Sequence, residues 1–193
     1  MPVPNCKTLV FIHGWASIPE IWQRQKDYFG RNNEIILPDI SQAKDIQEAA
    51  NIVYAATKDK RKFVLIGWSL GWLVALELLR NLFLEGDPRV VPKGIVAVNS
   101  TAKFCDNGYL GAGPVRNYCS TSLPKGVSSG AGPTETHLSK MIRDCKRNPQ
   151  KVFDDFYKSI LTDTGKNALT SVKFKNIQYD ALVYGLYMLR DCD

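Results

Sequence analysis

Histidine is scarce in this sequence: only His13 and His137 occur in 193 residues, which leaves few choices for a general base. Cysteine is sparse in pattern rather than number. Cys6, Cys105, Cys119, Cys145 and Cys192 are scattered and form no C-x-x-C pair. Neither a zinc site nor a redox motif is indicated, and reduced thiols in a cytoplasmic protein are expected. The N-terminus lacks a basic region followed by a long apolar run, so no signal peptide is expected. No apolar stretch reaches the length of a membrane span, so no membrane partner is expected. A dense basic stripe is missing too. The richest cluster, Lys58 to Lys62, is a short polar stretch just before a strand, which argues against nucleic acid as a partner.

What is present suits a globular enzyme-sized unit. Hydrophobic residues make up 45% and charged residues 23%, ordinary values for a protein able to bury a sizeable core. The length fits one domain with room for an inserted subdomain. A net charge of +6 suits an acidic partner, though an excess of this size also serves solubility.

Four short apolar runs bounded by turn residues read as buried parallel strands: Thr8 to His13, Glu34 to Pro38, Phe63 to Gly67 and Gly94 to Asn99. Helical patterns lie between them. Pro19 to Phe29 carries Ile21, Trp22 and Phe29 on one side. Asp45 to Thr57 spaces Ile46, Ala49, Ile52 and Val53 helically, and Leu70 to Leu84 is apolar nearly all round. Strand and helix alternate, so an α/β fold with a parallel sheet of about four strands, helices on both faces and right-handed crossovers is expected over residues 1–100. Residues 101–193 read as a connection and a helical cap. Thr101 to Gly132 is rich in Gly, Ser and Pro, and then Glu135 to Arg147, Pro149 to Leu161 and Asn167 to Arg190 have helical patterns. Pro149 fits a first helical turn after Asn148 as N-cap.

The segment richest in chemistry is Gly67-Trp68-Ser69-Leu70-Gly71, with a strand before it and a helix after it. This is the context of a nucleophile elbow. The serine occupies a strained turn whose close backbone approaches demand small residues two positions to either side. The turn lifts the hydroxyl clear of the sheet and leaves the Leu70 N–H at a helix N-terminus, free to donate to a developing oxyanion. G-x-S-x-G alone is a weak pattern; the strand-to-helix setting gives it weight. Phe11-Ile12-His13-Gly14-Trp15 ends the first strand, and the loop after that strand supplies the second oxyanion donor, here the Trp15 N–H. His13 is expected to shape this loop through hydrogen bonds rather than act as base.

His13-Gly14-Trp15, Ile21-Trp22 and Gly67-Trp68-Ser69-Leu70-Gly71 with Leu73-Val74-Ala75 resemble the α/β-hydrolase superfamily. Within it the chain is most similar to the biotin-synthesis carboxylesterases that remove the methyl ester from pimeloyl-acyl-carrier protein. Gly94 to Ser100, the cap residues Phe153, Phe156 and Tyr157, and Leu186 to Asp193 share that likeness. It covers nearly the whole chain but about two-thirds of the family's usual length. The resemblance implies Ser69 as nucleophile, with Trp15 and Leu70 as oxyanion donors and substrate contacts beside Gly14. Phe156, on a cap helix running from Phe153 to Ile160, is implied in lining an acyl channel. It also implies an ester substrate, either small or carried by an acidic acyl-carrier protein, and neither metal nor organic cofactor.

The resemblance places the acid and histidine of the triad after two further strands, beyond this sequence, in the order Ser, acid, His. Asp106 and Asp163 do not follow a strand as a triad acid should, and His137 sits at the start of a cap helix. Without a base the Ser69 hydroxyl is a poor nucleophile, so weak or absent hydrolysis by the chain alone is expected. The strand Gly94 to Asn99 would be left as an apolar edge open to pairing, including homodimerisation, strand exchange or a separately made segment, and a truncation of a longer hydrolase accounts for it equally well. A second reading is a catalytically impaired acyl-binding or interaction protein on the same scaffold. A third recruits His137 as a replacement base, which requires it within about 3 Å of the serine oxygen.

Overall fold

A computed structural model describes residues 7–60, 62–85, 91–100, 135–160 and 178–191. The strands β1 (Lys7–Ile12), β2 (Asn33–Ile36), β3 (Lys62–Trp68) and β4 (Val91–Val98) form one sheet in the order β2-β1-β3-β4. Every pairing is parallel, as the run-like apolar strands predict. Parallel neighbours need crossovers, and helices provide them. The expected Pro19 to Phe29 helix is a 3-10 turn, Pro19–Trp22, followed by α1 (Gln23–Phe29). Trp22, with φ −92° and ψ 8°, separates the two.

Helix α2 (Ile46–Thr57) is started by Asp45, whose carboxylate accepts the Glu48 N–H at 2.7 Å, while the Glu48 carboxylate accepts the Lys44 N–H at 2.9 Å. This reciprocal arrangement satisfies backbone donors that the first turn cannot satisfy itself. Helix α3 (Leu70–Glu85) follows β3 without a break and packs centrally against the sheet. Its burial fades toward the end, where Phe83 and Leu84 are exposed. The cap helices are α4 (Glu135–Arg147), α5 (Pro149–Ile160) and α6 (Tyr179–Asp191). The Asn148 side chain accepts the Lys151 N–H at 3.1 Å, as a cap should, with Pro149 in the first turn. The connection 101–134, residues 167–177 of the expected third cap helix, Asp106, Asp163, Cys6, Cys105, Cys119 and Cys192 lie outside the described residues.

Alternation along the strands divides the apolar side chains between two faces. Val10, Ile12, Phe63 and Leu65 join one large core with α2 and α3, and Leu138, Ile142, Tyr157, Leu182 and Leu186 of the cap belong to that same cluster. Phe11 and Ile66 face the other way, where Trp22 packs on Phe11 with ring centroids 5.1 Å apart. β4 is an outer strand of the described sheet. Its Ile95 and Val96, in register with Leu65 and Ile66, are exposed on both faces. No described helix is long and apolar enough to cross a membrane.

Candidate active site

The strand order itself selects a location. The chain steps from β1 outward to β2, then returns past β1 to β3, so the crossovers diverge between β1 and β3. In open parallel sheets ligands bind where that reversal opens a crevice at the carboxyl ends of the strands. The two segments singled out in the sequence lie there: His13-Gly14-Trp15 leaves β1, and Gly67-Trp68-Ser69-Leu70-Gly71 links β3 to α3.

Ser69 has φ 53°, in the left-handed region that a side chain disfavours. The turn is held by its neighbours. A Cβ on Gly67 would lie 2.6 Å from the Gly71 carbonyl oxygen and the Trp72 backbone, and one on Gly71 would lie 2.4 Å from the Ile12 oxygen. Both positions therefore exclude any larger residue, the physical basis of the spacing read from the sequence. The Ser69 N–H donates to the Val98 carbonyl at 3.2 Å, and the Ser100 hydroxyl donates to the Ser69 carbonyl at 3.0 Å. The end of β4 thus braces the elbow. Nothing in the pattern around Ser100 had marked it for this role.

Leu70 opens α3, so its N–H has no acceptor within the helix and stands next to Ser69. Gly14 brings the other loop against the nucleophile: a Cβ there would lie 3.2 Å from the Ser69 Cβ and 3.1 Å from the Trp68 carbonyl oxygen. Gly14, Trp15 and Leu70 also line one small cavity of about 20 Å³, room for a single water, closed on its far side by Leu182 and Gly185 of α6. Phe156 on α5 meets the Trp15 ring edge-on, with centroids 4.8 Å apart. Gly14 and Leu70 thus lie against Ser69 where β1 and β3 end, Trp15 shares their cavity, and Phe156 reaches it only through the Trp15 ring.

His13 also lines that small cavity, but both of its ring nitrogens are taken up by backbone groups. His13 is 1% exposed; its Nδ1 lies 3.0 Å from the Gly14 carbonyl, and its Nε2 accepts the Ile40 N–H at 3.1 Å. One neutral tautomer, with the proton on Nδ1, satisfies both contacts, and it leaves no lone pair for Ser69. The Asp39 carboxylate, 3.5 Å from Nε2, takes the Ser41 N–H at 2.9 Å. His13 ties the loop after β1 to the segment after β2, the shaping role expected of it. His137 lines a different feature, an open groove of about 580 Å³ between α4 and α5, shared with Lys140, Asp144 and Phe156. No cluster of three or more His, Cys, Asp or Glu side chains able to hold a metal occurs among the described residues.

The cap reaches this site through contacts that local patterns do not reveal. The Trp15 indole N–H donates to the Leu182 carbonyl at 2.8 Å, and the buried Tyr157 hydroxyl donates to the Ala16 carbonyl at 2.7 Å. Burial pushes the Tyr157 phenol well above its ordinary range, against a smaller opposing pull from Ser17, so it remains a donor at any ordinary pH.

A braced serine on a strand-to-helix elbow, with the first N–H of α3 next to it and Gly14 packed against it, and this strand order define the class: the chain has the α/β-hydrolase fold. A hydrolase from Oleispira antarctica superposes on 98% of this chain and 67% of its own, with a TM-score of 0.66 at 13% identity. The particular likeness is narrower. The chain is similar to the pimeloyl-[acyl-carrier protein] methyl ester esterase of Vibrio campbellii, 33% identical over 105 residues. It is 31% identical over 110 residues to the enzyme of the same name from Wigglesworthia glossinidia brevipalpis. These alignments cover 50% and 51% of this chain and 38% of each relative's own length. No protein-family model matches the chain.

Proposed function

We propose that this chain carries the nucleophile and oxyanion hole of a serine carboxylic-ester hydrolase, acting on a pimeloyl methyl ester linked to an acyl-carrier protein. The single observation that carries this reading is the convergence of Ser69, at φ 53°, with Gly14 and the first N–H of α3. The Ser69 oxygen attacks the ester carbonyl as its proton passes to a base. The Trp15 and Leu70 N–H groups hold the oxygen of the tetrahedral adduct, where charge develops. The alcohol then leaves, and water releases the acid from the acyl-enzyme. Phe156 supplies apolar surface for the acyl chain. The substrate and its place in biotin synthesis rest on the names of the two relatives, and the net charge of +6 favours an acidic carrier.

The proton acceptor comes from outside this sequence. His13 is committed to the loop, and His137 lines the groove between α4 and α5. A segment pairing with the outer edge of β4, whether a continuation of this polypeptide, a second copy or another chain, is the proposed source. The engagement of His13 also favours the second reading, an acyl-binding protein that retains the pocket without turnover.

Hydrolysis of a short p-nitrophenyl ester by the purified chain, beside Ser69→Ala, tests this. Turnover by the wild type and none by the variant supports the hydrolase. Equal inertness, with retained binding of a pimeloyl ester, means that function rests on binding or on a base supplied by a further segment.

A further inference from the structure

Two adjacent residues of the oxyanion loop are gripped by two different cap helices. Trp15 is fixed at three points on its ring: its N–H donates to Leu182 at 2.8 Å, Phe156 of α5 stands edge-on to it, and Gly185 of α6 lies against its Cδ1 side. A Cβ at residue 185 would come within 2.5 Å of Trp15 Cδ1, so the helix admits the ring only because that residue is glycine. Ala16, the next residue, has φ 54°, and its carbonyl receives the Tyr157 hydroxyl at 2.7 Å. A left-handed conformation at a residue with a Cβ persists only where the surroundings impose it.

We propose that Tyr157 and Gly185 are positioning residues of the oxyanion hole, through which α5 and α6 hold the His13–Ser17 loop in the conformation that aims the Trp15 N–H at the adduct on Ser69. This rests on the reading of Ser69 as nucleophile with Trp15 as donor. Neither residue touches the reacting atoms. Tyr157 sets the peptide plane that follows Ala16, and Gly185 lets the Trp15 side chain anchor the backbone on the other side. The Trp15 N–H, in the peptide that enters these two anchored residues, thereby has its direction set before any ester arrives. Such prior orientation matters because the donor must meet the charge where it forms, without first reorganising.

The test uses the full chain and a fluorophosphonate probe, whose phosphoryl oxygen takes the oxyanion position when Ser69 is modified. Tyr157→Phe deletes one hydroxyl and keeps the ring. Its maximal rate of Ser69 modification should fall about tenfold or more, while the half-saturating probe concentration stays put. In the same variant the Trp15 backbone amide, followed by hydrogen exchange in an NMR spectrum, should exchange at least about tenfold faster, as expected when local opening becomes easier. Gly185→Ala should do the same, and Tyr187→Phe, on the Lys146 side of α6, should change neither readout. If Tyr157→Phe and Gly185→Ala leave both the modification rate and the Trp15 exchange as in the wild type, the proposal is overturned. If wild-type Ser69 is never modified, this chain alone does not activate its serine, and the exchange readout then decides whether the cap holds the loop. Should Gly185→Ala not fold, Tyr157→Phe carries the decision.

Discussion

On one face of the sheet Val10, Ile12, Phe63 and Leu65 are at most 1% exposed beneath α2, α3 and the cap, whereas on the other Phe11, Trp22 and Ile66 keep 4%, 7% and 8%. The first face forms one continuous core, and the elbow helix and the loop after β1 are anchored in it. On the second, the described cover is the Pro19–Trp22 turn and α1, with Tyr28 70% exposed. The buried Trp22 indole N–H has no hydrogen-bond partner there among the described residues. A reacting group must be held to within a fraction of an ångström, and rigid packing around its supports achieves that. The tight face is the one from which the site is built.

Four substitutions probe this asymmetry. Gly71→Ala strikes where α3 meets β1, placing a Cβ 2.4 Å from the Ile12 oxygen and 2.6 Å from the His13 oxygen. Backbone atoms cannot step aside cheaply, so a loss of about 3 kcal/mol or more is expected in urea unfolding. Leu65→Ala opens a cavity in the tight core and should cost about 2–5 kcal/mol. Trp22→Phe, on the looser face, removes the unpartnered donor along with some apolar area, and the two effects should nearly cancel, leaving a change within about 1 kcal/mol. A loss matching that of Leu65→Ala would show both faces to be equally demanding.

The smallest effect belongs to the β2 edge, where the Glu34 carboxylate accepts from Lys60 and from the Thr8 hydroxyl. First Lys60 and then Thr8 hold the Glu34 carboxyl below its ordinary value of 4.5. A depressed folded-state value means the contribution is present above pH 4.5 and lost as pH falls through the lower folded value. Glu34→Gln should thus destabilise by less than about 1 kcal/mol at neutral pH. The difference should vanish in acid, as unfolding midpoints measured from pH 7 down to 3 would reveal.

Much of this was legible because it is local. Buried parallel strands announce themselves as apolar runs, and Thr8 to His13 and Phe63 to Gly67 fall within a residue of β1 and β3. β4 begins at Val91 rather than Gly94, because Pro92 and Lys93 hide its start and a register shift at Phe63/Val64 accommodates them. The elbow was readable for the same reason, since its steric demands lie within five consecutive residues. The grip on Trp15 and Ala16 was not. Its partners stand 167 and 141 residues away, and no periodicity encodes such pairings. One trace was present: a glycine inside an otherwise good helix weakens it, so Gly185 signals that something bulky passes close by.

The Trp15–Leu182 bond also orders events in time. Residues 7–100 hold the four described strands and the elbow, and they leave the ribosome before α6. At about 5–20 residues per second, the 167 residues between Trp15 and Leu182 take roughly 8–30 s to make. Throughout that interval a folded sheet would display Ser69 while the loop beside it lacked its anchor. The elbow is an early product of synthesis and the anchored loop a late one, so the oxyanion hole proposed above would be set only when α6 docks.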